Sequence, residues 1–282
     1  MNNDVLKQTL QLHRLEHLCR FSPEQIAILL QATQLGEDAL ALALLPLARQ
    51  KSQAPVSDFR VGAIAIGGSG HWYLGANMET AGLPLSNTLH AEQAAVGHAA
   101  LFDEHHIEKV VVSASPCGHC RQFMTELNQT SLMLVLPDDH FMLDELLPHA
   151  FGPADLGQTY GMLNSPAGSL GLPSKTPQNL ACLAALDEAN ASYAPYSHNR
   201  AGVALLLDDG QLCLGRYLEN AAVNPGLSPM QLALSQLFLQ GYSTEHIRRA
   251  FIVEARAEVQ QYDAAARLLS QWSAVTLERL VL

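Results

Sequence analysis

The stretch from Ala54 to Ala81 reads APVSDFRVGAIAIGGSGHWYLGANMETA, and the stretch from Ala194 to Ala221 reads APYSHNRAGVALLLDDGQLCLGRYLENA. At the constant offset of 140 positions (54 to 194), 10 of the 28 residues are identical, including Gly and Pro residues that punctuate turns. Two unrelated segments would share far fewer residues. A single repeat of this length indicates a duplicated domain rather than a solenoid, whose units are shorter.

Each copy predicts the same order of elements, α-β-β-α-β-α-β. The two consecutive apolar runs flank a Gly turn, which is typical of a hairpin buried on both faces. In the first copy the predicted ranges are 38–50, 60–66, 72–76, a helix after Leu89, 110–113, 117–128 and 131–136. In the second copy they are 179–192, 201–207, 211–217, a helix after Ser228, 250–254, 262–271 and 274–282. This order predicts a layered α/β fold in each copy.

The composition disfavours several classes of partner. The 282 residues carry 16 Lys and Arg against 27 Asp and Glu, a net charge of −11, and no basic patch interrupts this acidity. Such a chain repels nucleic-acid phosphates and anionic membranes, so we predict no nucleic-acid and no membrane partner. The N-terminus shows no secretory pattern, and an odd number of cysteines disfavours a disulfide framework. We therefore expect a reduced, cytoplasmic enzyme.

Two motifs in the first copy carry metal-ligating side chains. His90-Ala91-Glu92 begins one predicted helix, and Pro116-Cys117-Gly118-His119-Cys120 begins the next, just after a strand. Thiols three positions apart face the same way on a first helical turn, and a helix N-terminus favours thiolates. Two thiolates and one imidazole suit zinc, and three protein ligands leave the open position of a catalytic site.

His119 and Glu92 are close to these ligands in the sequence, but we expect them to lie differently relative to the metal. The spacing of His119, inside the cysteine pair, directs its ring away from the thiols. Glu92 follows His90 by two positions, so it approaches a metal-bound water only if the helix points end-on at the metal. A lone C-x-x-C pair also occurs in structural zinc sites and redox dithiols, which remain alternative interpretations.

The wider pattern resembles that of the cytidine deaminases, specifically the duplicated, two-domain, homodimeric bacterial type. An H-x-E motif followed by P-C-x-x-C is the signature of the zinc deaminases. The segments that carry the resemblance are Phe59–Ala63, Gly75–Glu79, His90–Gln93, Pro116–Phe123 and Phe151–Pro153. The resemblance extends over both copies.

The resemblance implies a particular domain organisation. Two tandem αβα-layered domains are expected, each a mixed five-stranded sheet with helices, after a small N-terminal helical segment. The expected boundaries are 1–46 for the helical segment, 47–153 for the catalytic zinc-binding domain, 154–178 for the linker and 179–282 for a degenerate, non-catalytic repeat.

The resemblance also implies an activity and its residues. The expected reaction is the hydrolytic deamination of cytidine and 2'-deoxycytidine to uridine and 2'-deoxyuridine, with release of ammonia, in pyrimidine salvage. It would use one Zn²⁺ per chain, held by His90, Cys117 and Cys120, a zinc-activated water, and Glu92 as proton shuttle. The expected substrate contacts are Phe59, Asn77, Met78, Glu79, Ser115 and Phe151.

The second copy lacks these ligands. With a one-residue gap, His90-Ala91-Glu92 aligns with Pro229-Met230-Gln231, and the cysteine region aligns near 256–261, which contains neither Cys nor His. The resemblance implies a scaffolding role for this copy in a homodimer. It also implies that the loop Glu219–Pro225 lies near the partner's active site, with Val223 where an aromatic residue is expected.

Other functions stay open at this stage. They are a catalytically inactive zinc module used for assembly, a nucleic-acid-editing deaminase, and a deaminase of a cytosine nucleotide or a modified pyrimidine nucleoside. The Glu79 carboxylate favours a nucleoside, because it can accept a hydrogen bond from a sugar hydroxyl but repels a phosphate in a partly desolvated site.

Overall fold

A computed structural model of the chain describes residues 2–173 and 179–282. Within these ranges the helices are α1 (Asn2–Leu12), α2 (Pro23–Thr33), α3 (Glu37–Arg49), α4 (Ala91–Leu101), α5 (Gly118–Thr125), α6 (Leu143–Leu146), α7 (Leu180–Ala191), α8 (Pro229–Leu239) and α9 (Tyr262–Leu269). The strands are β1 (Arg20–Phe21), β2 (Gly62–Gly67), β3 (Trp72–Ala76), β4 (Ile107–Val112), β5 (Met133–Val135), β6 (His140–Met142), β7 (Ala201–Leu207), β8 (Leu212–Arg216), β9 (Ile247–Glu254) and β10 (Leu277–Val281). Short 3-10 turns lie at Leu85–Asn87, Pro153–Leu156 and Thr244–His246.

The two copies share a four-stranded core. In the first copy the central order is β3-β2-β4-β5, and in the second it is β8-β7-β9-β10. In both, the hairpin strands pair antiparallel and the last strand pairs parallel with its neighbour. A parallel pair needs a crossover connection, here supplied by the α5 and α9 segments. The predicted layered α/β duplication is therefore confirmed.

The expected number of five strands per sheet is wrong for both copies. The first sheet has six strands, because β1 pairs with β3 at one edge and β6 pairs with β5 at the other. The second sheet has only the four shared strands among the described residues. The added strands are two and three residues long, too short for a hydrophobic period to reveal them.

The two copies pack through one continuous core. Helix α4 contacts β2 and β3 of its own sheet and also α8 of the second copy. Its residues from Ala91 to Ala100 are all buried. At Gly97 the second copy approaches so closely that an added Cβ would lie 2.8 Å from the Leu227 side chain. The helix that begins at the metal motif is thus held between the two copies.

Two of the expected domain boundaries do not coincide with the ends of packed elements. The limit between residues 46 and 47 falls inside α3, which covers β2 as α7 covers β7. The expected linker is partly packed as well, since Met162 and Leu163 belong to the buried core. Residues 174–178 of that linker lie outside the described ranges.

In the described part of the chain no single helix is long and apolar enough to cross a membrane. Helices α2 and α3 taken together, with a bend of 104° between them, do have the length and composition of a membrane-spanning segment.

Gly75 lets β3 lie directly against α4, and we expect its replacement to separate them. A Cβ at this position would lie 2.2 Å from the Ala95 nitrogen and 2.4 Å from the Ala91 oxygen, both backbone atoms. Gly75→Ala should lower the free energy of unfolding by about 3 kcal/mol, measured by urea denaturation. Gly171→Ala is the control, because nothing lies within 4 Å of a Cβ there. Equal stability of the two variants would contradict this packing.

Candidate active site

Two helix N-termini point at one place. His90 is the N-cap of α4, with an extended backbone (φ −87, ψ 155), and Cys117 is the N-cap of α5 (φ −72, ψ 169). Cys120 lies one turn into α5 and is completely buried. The positive end of each helix dipole therefore faces the cluster, which favours thiolates there.

The side chains of the three expected ligands, His90, Cys117 and Cys120, lie close together. The sulfur atoms of Cys117 and Cys120 are 3.6 Å apart, and the His90 Nδ1 atom lies 3.5 and 3.2 Å from them. Tetrahedral zinc with bonds of about 2.1 and 2.3 Å places such ligand atoms roughly 3.5–3.8 Å apart. Of the described residues, these three form the one group of His, Cys, Asp or Glu that could hold a metal. His119 is outside the group and stacks on the His90 ring.

The electrostatics of the thiols favour a bound cation. The hydrogen bond with Cys120 holds the pKa of Cys117 at about 4, whereas the same contact and burial raise the pKa of Cys120. Two sulfurs at this distance share one proton, because two adjacent negative charges in a partly desolvated site repel. Zn²⁺ allows both to ionise, so the donor set fits zinc in charge, softness and spacing.

Glu92 lies beside the cluster without belonging to it. Its side chain is 4% exposed and lines the same cavity as His90 and Cys117. Because His90 is the N-cap and not part of the regular helix, the two side chains converge despite their spacing of two. This is the end-on helix that the sequence interpretation required. Burial raises the pKa of Glu92, and backbone and His90 contacts offset this only in part. A buried carboxyl whose pKa is raised in this way is a candidate general acid and base.

The cavity in front of the cluster has a volume of about 230 Å³. Of the expected substrate contacts, it is lined by Phe59, Asn77, Glu79 and Ser115. Sequence reasoning assigned no contact to three further lining residues, of which only Val61 lies in a segment that carries the resemblance: Val61, Thr88 and Ala114. A larger cavity, about 390 Å³, lies beside the end of α5 and α6 but contains none of the expected ligands or substrate contacts.

Met78 and Phe151 lie outside this cavity wall, contrary to expectation. The Met78 side chain is 2% exposed and packs in the core, while its backbone pairs with Leu89. Strand-like alternation explains this, since Asn77 and Glu79 face the opposite side from the residue between them. Phe151 is 45% exposed, and its carbonyl accepts a hydrogen bond from Gln122.

Asn77 has one donor left for a ligand. Its Oδ1 accepts from the Ser52 hydroxyl (2.6 Å) and the Val61 amide (2.8 Å), and its Nδ2 donates to the Phe59 carbonyl (2.9 Å). An amide has two acceptor sites and two N–H groups, so a single N–H remains unused. Asn77 therefore shapes the cavity wall and can still donate to a hydroxyl.

Glu79 is held in its ionised form. Its carboxylate accepts from the Val56 amide (2.9 Å), the Ser57 amide (3.0 Å) and the Ser57 hydroxyl. Burial alone would raise the pKa of Glu79, but these hydrogen bonds outweigh it and hold the pKa below its usual value. The carboxylate retains acceptor capacity towards the cavity. Asn77 and Glu79 thus offer one donor and one acceptor side by side.

The second copy aligns with a two-residue gap, not with the one-residue gap expected from sequence. His90 and Ser228 are both N-caps, and Gln93 and Gln231 both occupy the third helical position. Met230 therefore stands where Glu92 does. The loops before α4 and α8 differ in length, and no sequence pattern shows by how much. The alignment of the two copies is therefore fixed only by the helix N-caps in the structure. Among the described residues of this copy no group of metal ligands occurs.

A zinc donor set beside a buried carboxyl that is not a ligand is the arrangement of the zinc deaminases, a class of hydrolases. Two family models match the chain, at residues 36–136 and 143–266, and both are described as a cytidine and deoxycytidylate deaminase zinc-binding region. The chain is a zinc-dependent hydrolase with two such domains. The second match covers the copy without ligands, so it reflects shared fold.

Several cytidine deaminases are similar to this chain in sequence. A cytidine deaminase of Aeromonas salmonicida (strain A449) is 50% identical over 92% of this chain and 88% of its own length. One of Vibrio atlanticus (strain LGP32) is 49% identical over 83% and 79%. A crystal structure of cytidine deaminase from Mycobacterium tuberculosis is 27% identical over 42% of this chain and 99% of its own, with a TM-score of 0.39. The chain belongs to the cytidine deaminase family, in its duplicated bacterial form.

Proposed function

We propose that this chain converts cytidine and 2'-deoxycytidine to uridine and 2'-deoxyuridine, with release of ammonia, in the cavity of the first copy. The observation that carries the proposal is the convergence of His90, Cys117 and Cys120 beside Glu92 on one cavity wall. The division into a catalytic first copy and a non-catalytic second copy is part of the proposal, with the whole of α3 assigned to the first copy. Its role in pyrimidine salvage and its cytoplasmic location stay predictions.

The site residues divide the chemistry between them. His90, Cys117 and Cys120 would hold zinc, which lowers the pKa of a bound water towards neutrality and makes it a nucleophile. Glu92 takes a proton from the attacking water and delivers it to N3 of the cytosine ring. The second water proton, which the new C4 hydroxyl carries, passes through the same carboxyl to the amino group, and the C4–N bond breaks to release ammonia as the C4 carbonyl forms. Phe59 and Ser115 line the cavity, where they would contact the base.

The first test is the ultraviolet absorbance of cytidine with purified, zinc-loaded protein, together with an ammonia assay. Conversion to uridine with equal release of ammonia is the expected result. If the protein holds one zinc per chain but leaves cytidine and deoxycytidine unchanged, the substrate is wrong. Cytosine nucleotides and modified pyrimidine nucleosides are then the next compounds to assay.

Glu79 should select nucleosides over nucleotides. A sugar hydroxyl can donate to its carboxylate, while a phosphate would meet a like charge. We expect a higher kcat/KM for deoxycytidine than for dCMP. Glu79→Gln should raise KM for the nucleoside about 10- to 100-fold, since a hydrogen bond to a charged group is worth about 1.5–3 kcal/mol. Glu37→Gln, on the exposed surface of α3, is the control. Preference for dCMP in the unmodified protein would contradict this role.

We also propose that two chains form a homodimer through the face that surrounds the cavity. Apolar side chains that flank the cavity segments are exposed there: Val56 (54%), Phe59 (62%), Leu85 (62%), Phe151 (45%) and Val223 (76%). Exposed apolar side chains are typical of association surfaces, and a closed pair of identical chains would cover these on both partners. The exposed Val223 side chain is the part of its loop available to a partner's site.

A further inference from the structure

The carboxylate of Glu126, the C-cap residue directly after α5, accepts hydrogen bonds from the second copy. Glu126 is completely buried. Its Oε1 accepts from the hydroxyls of Tyr193 (2.7 Å) and Tyr196 (2.5 Å), and its Oε2 accepts from the Ala221 amide (2.8 Å). A buried carboxylate is tolerated only when such donors replace water. The helix that carries Cys120 is therefore anchored at its far end to the non-catalytic copy.

The segment Asn220–Pro225, here called the bridging loop, makes a second contact with α5. The Asn220 Nδ2 group donates to the backbone carbonyl of Gln122 at 3.1 Å. The Asn220 Oδ1 atom in turn accepts from the Ala222 amide at 2.9 Å, which braces the loop internally. Gln122 lies two residues after Cys120, so the loop contacts α5 close to the ligand as well as at its end.

The other end of the bridging loop reaches α4. The Gln93 Nε2 group donates to the Pro225 carbonyl at 3.0 Å, and this contact is buried inside the packed structure. The Gln93 Oε1 atom accepts from the backbone amide of His90 at 3.3 Å. One side chain thus joins the backbone of the imidazole ligand to the loop of the second copy.

We infer that the bridging loop positions the zinc ligands of its own chain, with Glu126 and Gln93 as positioning residues. The loop spans the two helices whose N-termini carry His90 on one side and the thiols on the other. Contacts that orient ligands without touching the metal commonly change metal affinity about 10- to 100-fold. The second copy, which has no ligand group among its described residues, thereby contributes to the metal centre in cis. This inference rests on the proposed role of the three ligands.

The decisive variant is Glu126→Gln, which keeps the side-chain shape but removes one acceptor atom. Three donors cannot all be satisfied by an amide, so the contact between α5 and the loop weakens. We expect zinc release to an excess of a chromogenic chelator to become about tenfold faster. The visible absorption of the Co²⁺-substituted protein should shift too, because its bands report ligand geometry.

Glu188→Gln is the matched control. This glutamate is also buried, and it pairs with the Arg216 Nε atom at 2.7 Å within the second copy. Its replacement should lower Tm but leave zinc release and the Co²⁺ spectrum unchanged. Should Glu126→Gln fail to fold, Tyr196→Phe removes one donor from a partly exposed ring and serves the same comparison.

The experiment distinguishes failure of the positioning role from failure of the proposed zinc ligands. If the unmodified protein binds one zinc per chain and the Glu126 and Tyr196 variants release it as slowly as the Glu188 variant, the positioning role is overturned while the proposed function stands. If the unmodified protein binds no zinc, the proposed ligand set is wrong and the inference falls with it. Faster release in the Glu126 variant or the Tyr196 variant, with release from the Glu188 variant unchanged, supports the inference.

Discussion

Replacing Glu92 with glutamine should leave a folded, zinc-loaded protein whose kcat for cytidine is lower by about 10⁴-fold or more. One proton transfer by a positioned side chain is worth about 10²–10⁴-fold, and this carboxyl serves more than one step. Glutamine has the same shape and no charge, so it suits a position that is 4% exposed. Steady-state kinetics at saturating cytidine give kcat, and metal analysis of the same sample gives zinc content.

The control for this variant is Glu104→Gln. Glu104 is likewise buried in the first copy, but it hydrogen-bonds Tyr73 and Ser69 away from the cavity. We expect its kcat to stay within a few-fold of the unmodified value. A Glu92 variant that retains activity in that same range would show that another group moves the proton. Loss of zinc from the Glu92 variant would instead mean that the glutamate belongs to the metal site.

Cys117→Ala should abolish zinc binding and activity together. Cys117 is an exposed residue, so its truncation removes a ligand with little loss of packing. Zinc bound only to the folded state stabilises it by about 4 kcal/mol when free zinc is about 1,000 times the Kd. The variant should lose that stabilisation, and its Tm should match that of the unmodified protein in excess chelator. Thermal unfolding with and without chelator measures both.

Cys182→Ala provides the opposite comparison. Cys182 is completely buried in α7 of the second copy and lies outside the ligand group. Its truncation should cost about 1 kcal/mol, as for other small deletions in a core, while zinc content and kcat persist. A Cys117 variant that binds zinc as tightly as the Cys182 variant would exclude the proposed ligand set.

The duplication separates fold from chemistry. The two sheets share strand order and pairing, and both second helices begin at an N-cap with glutamine at the third position. Met230 nevertheless stands in place of Glu92, so the second copy lacks the carboxyl that we propose as proton carrier. A fold constrains where side chains lie, whereas activity depends on which side chains lie there.

Local patterns predicted the elements unevenly. The hairpin β2–β3 was evident, because two apolar runs flank a Gly turn. Helix α4 shows no amphipathic period, since both copies cover it and its residues from Ala91 to Ala100 are buried. It was predicted through the motif at its start. The pairing of β1 with β3 joins residues about fifty positions apart and leaves no local signal.

Residue identity and local spacing were enough to reveal the duplication, the layered α/β class, the zinc donor set and the absence of that set from the second copy. The packed chain was needed to show that His90 meets thiols 27 and 30 positions away, that Asn77 keeps one donor free, and that Met78 turns into the core. It was also needed to show that the bridging loop contacts both ligand-bearing helices of its own chain. Convergence of distant segments depends on how whole elements pack, and no local pattern specifies that packing.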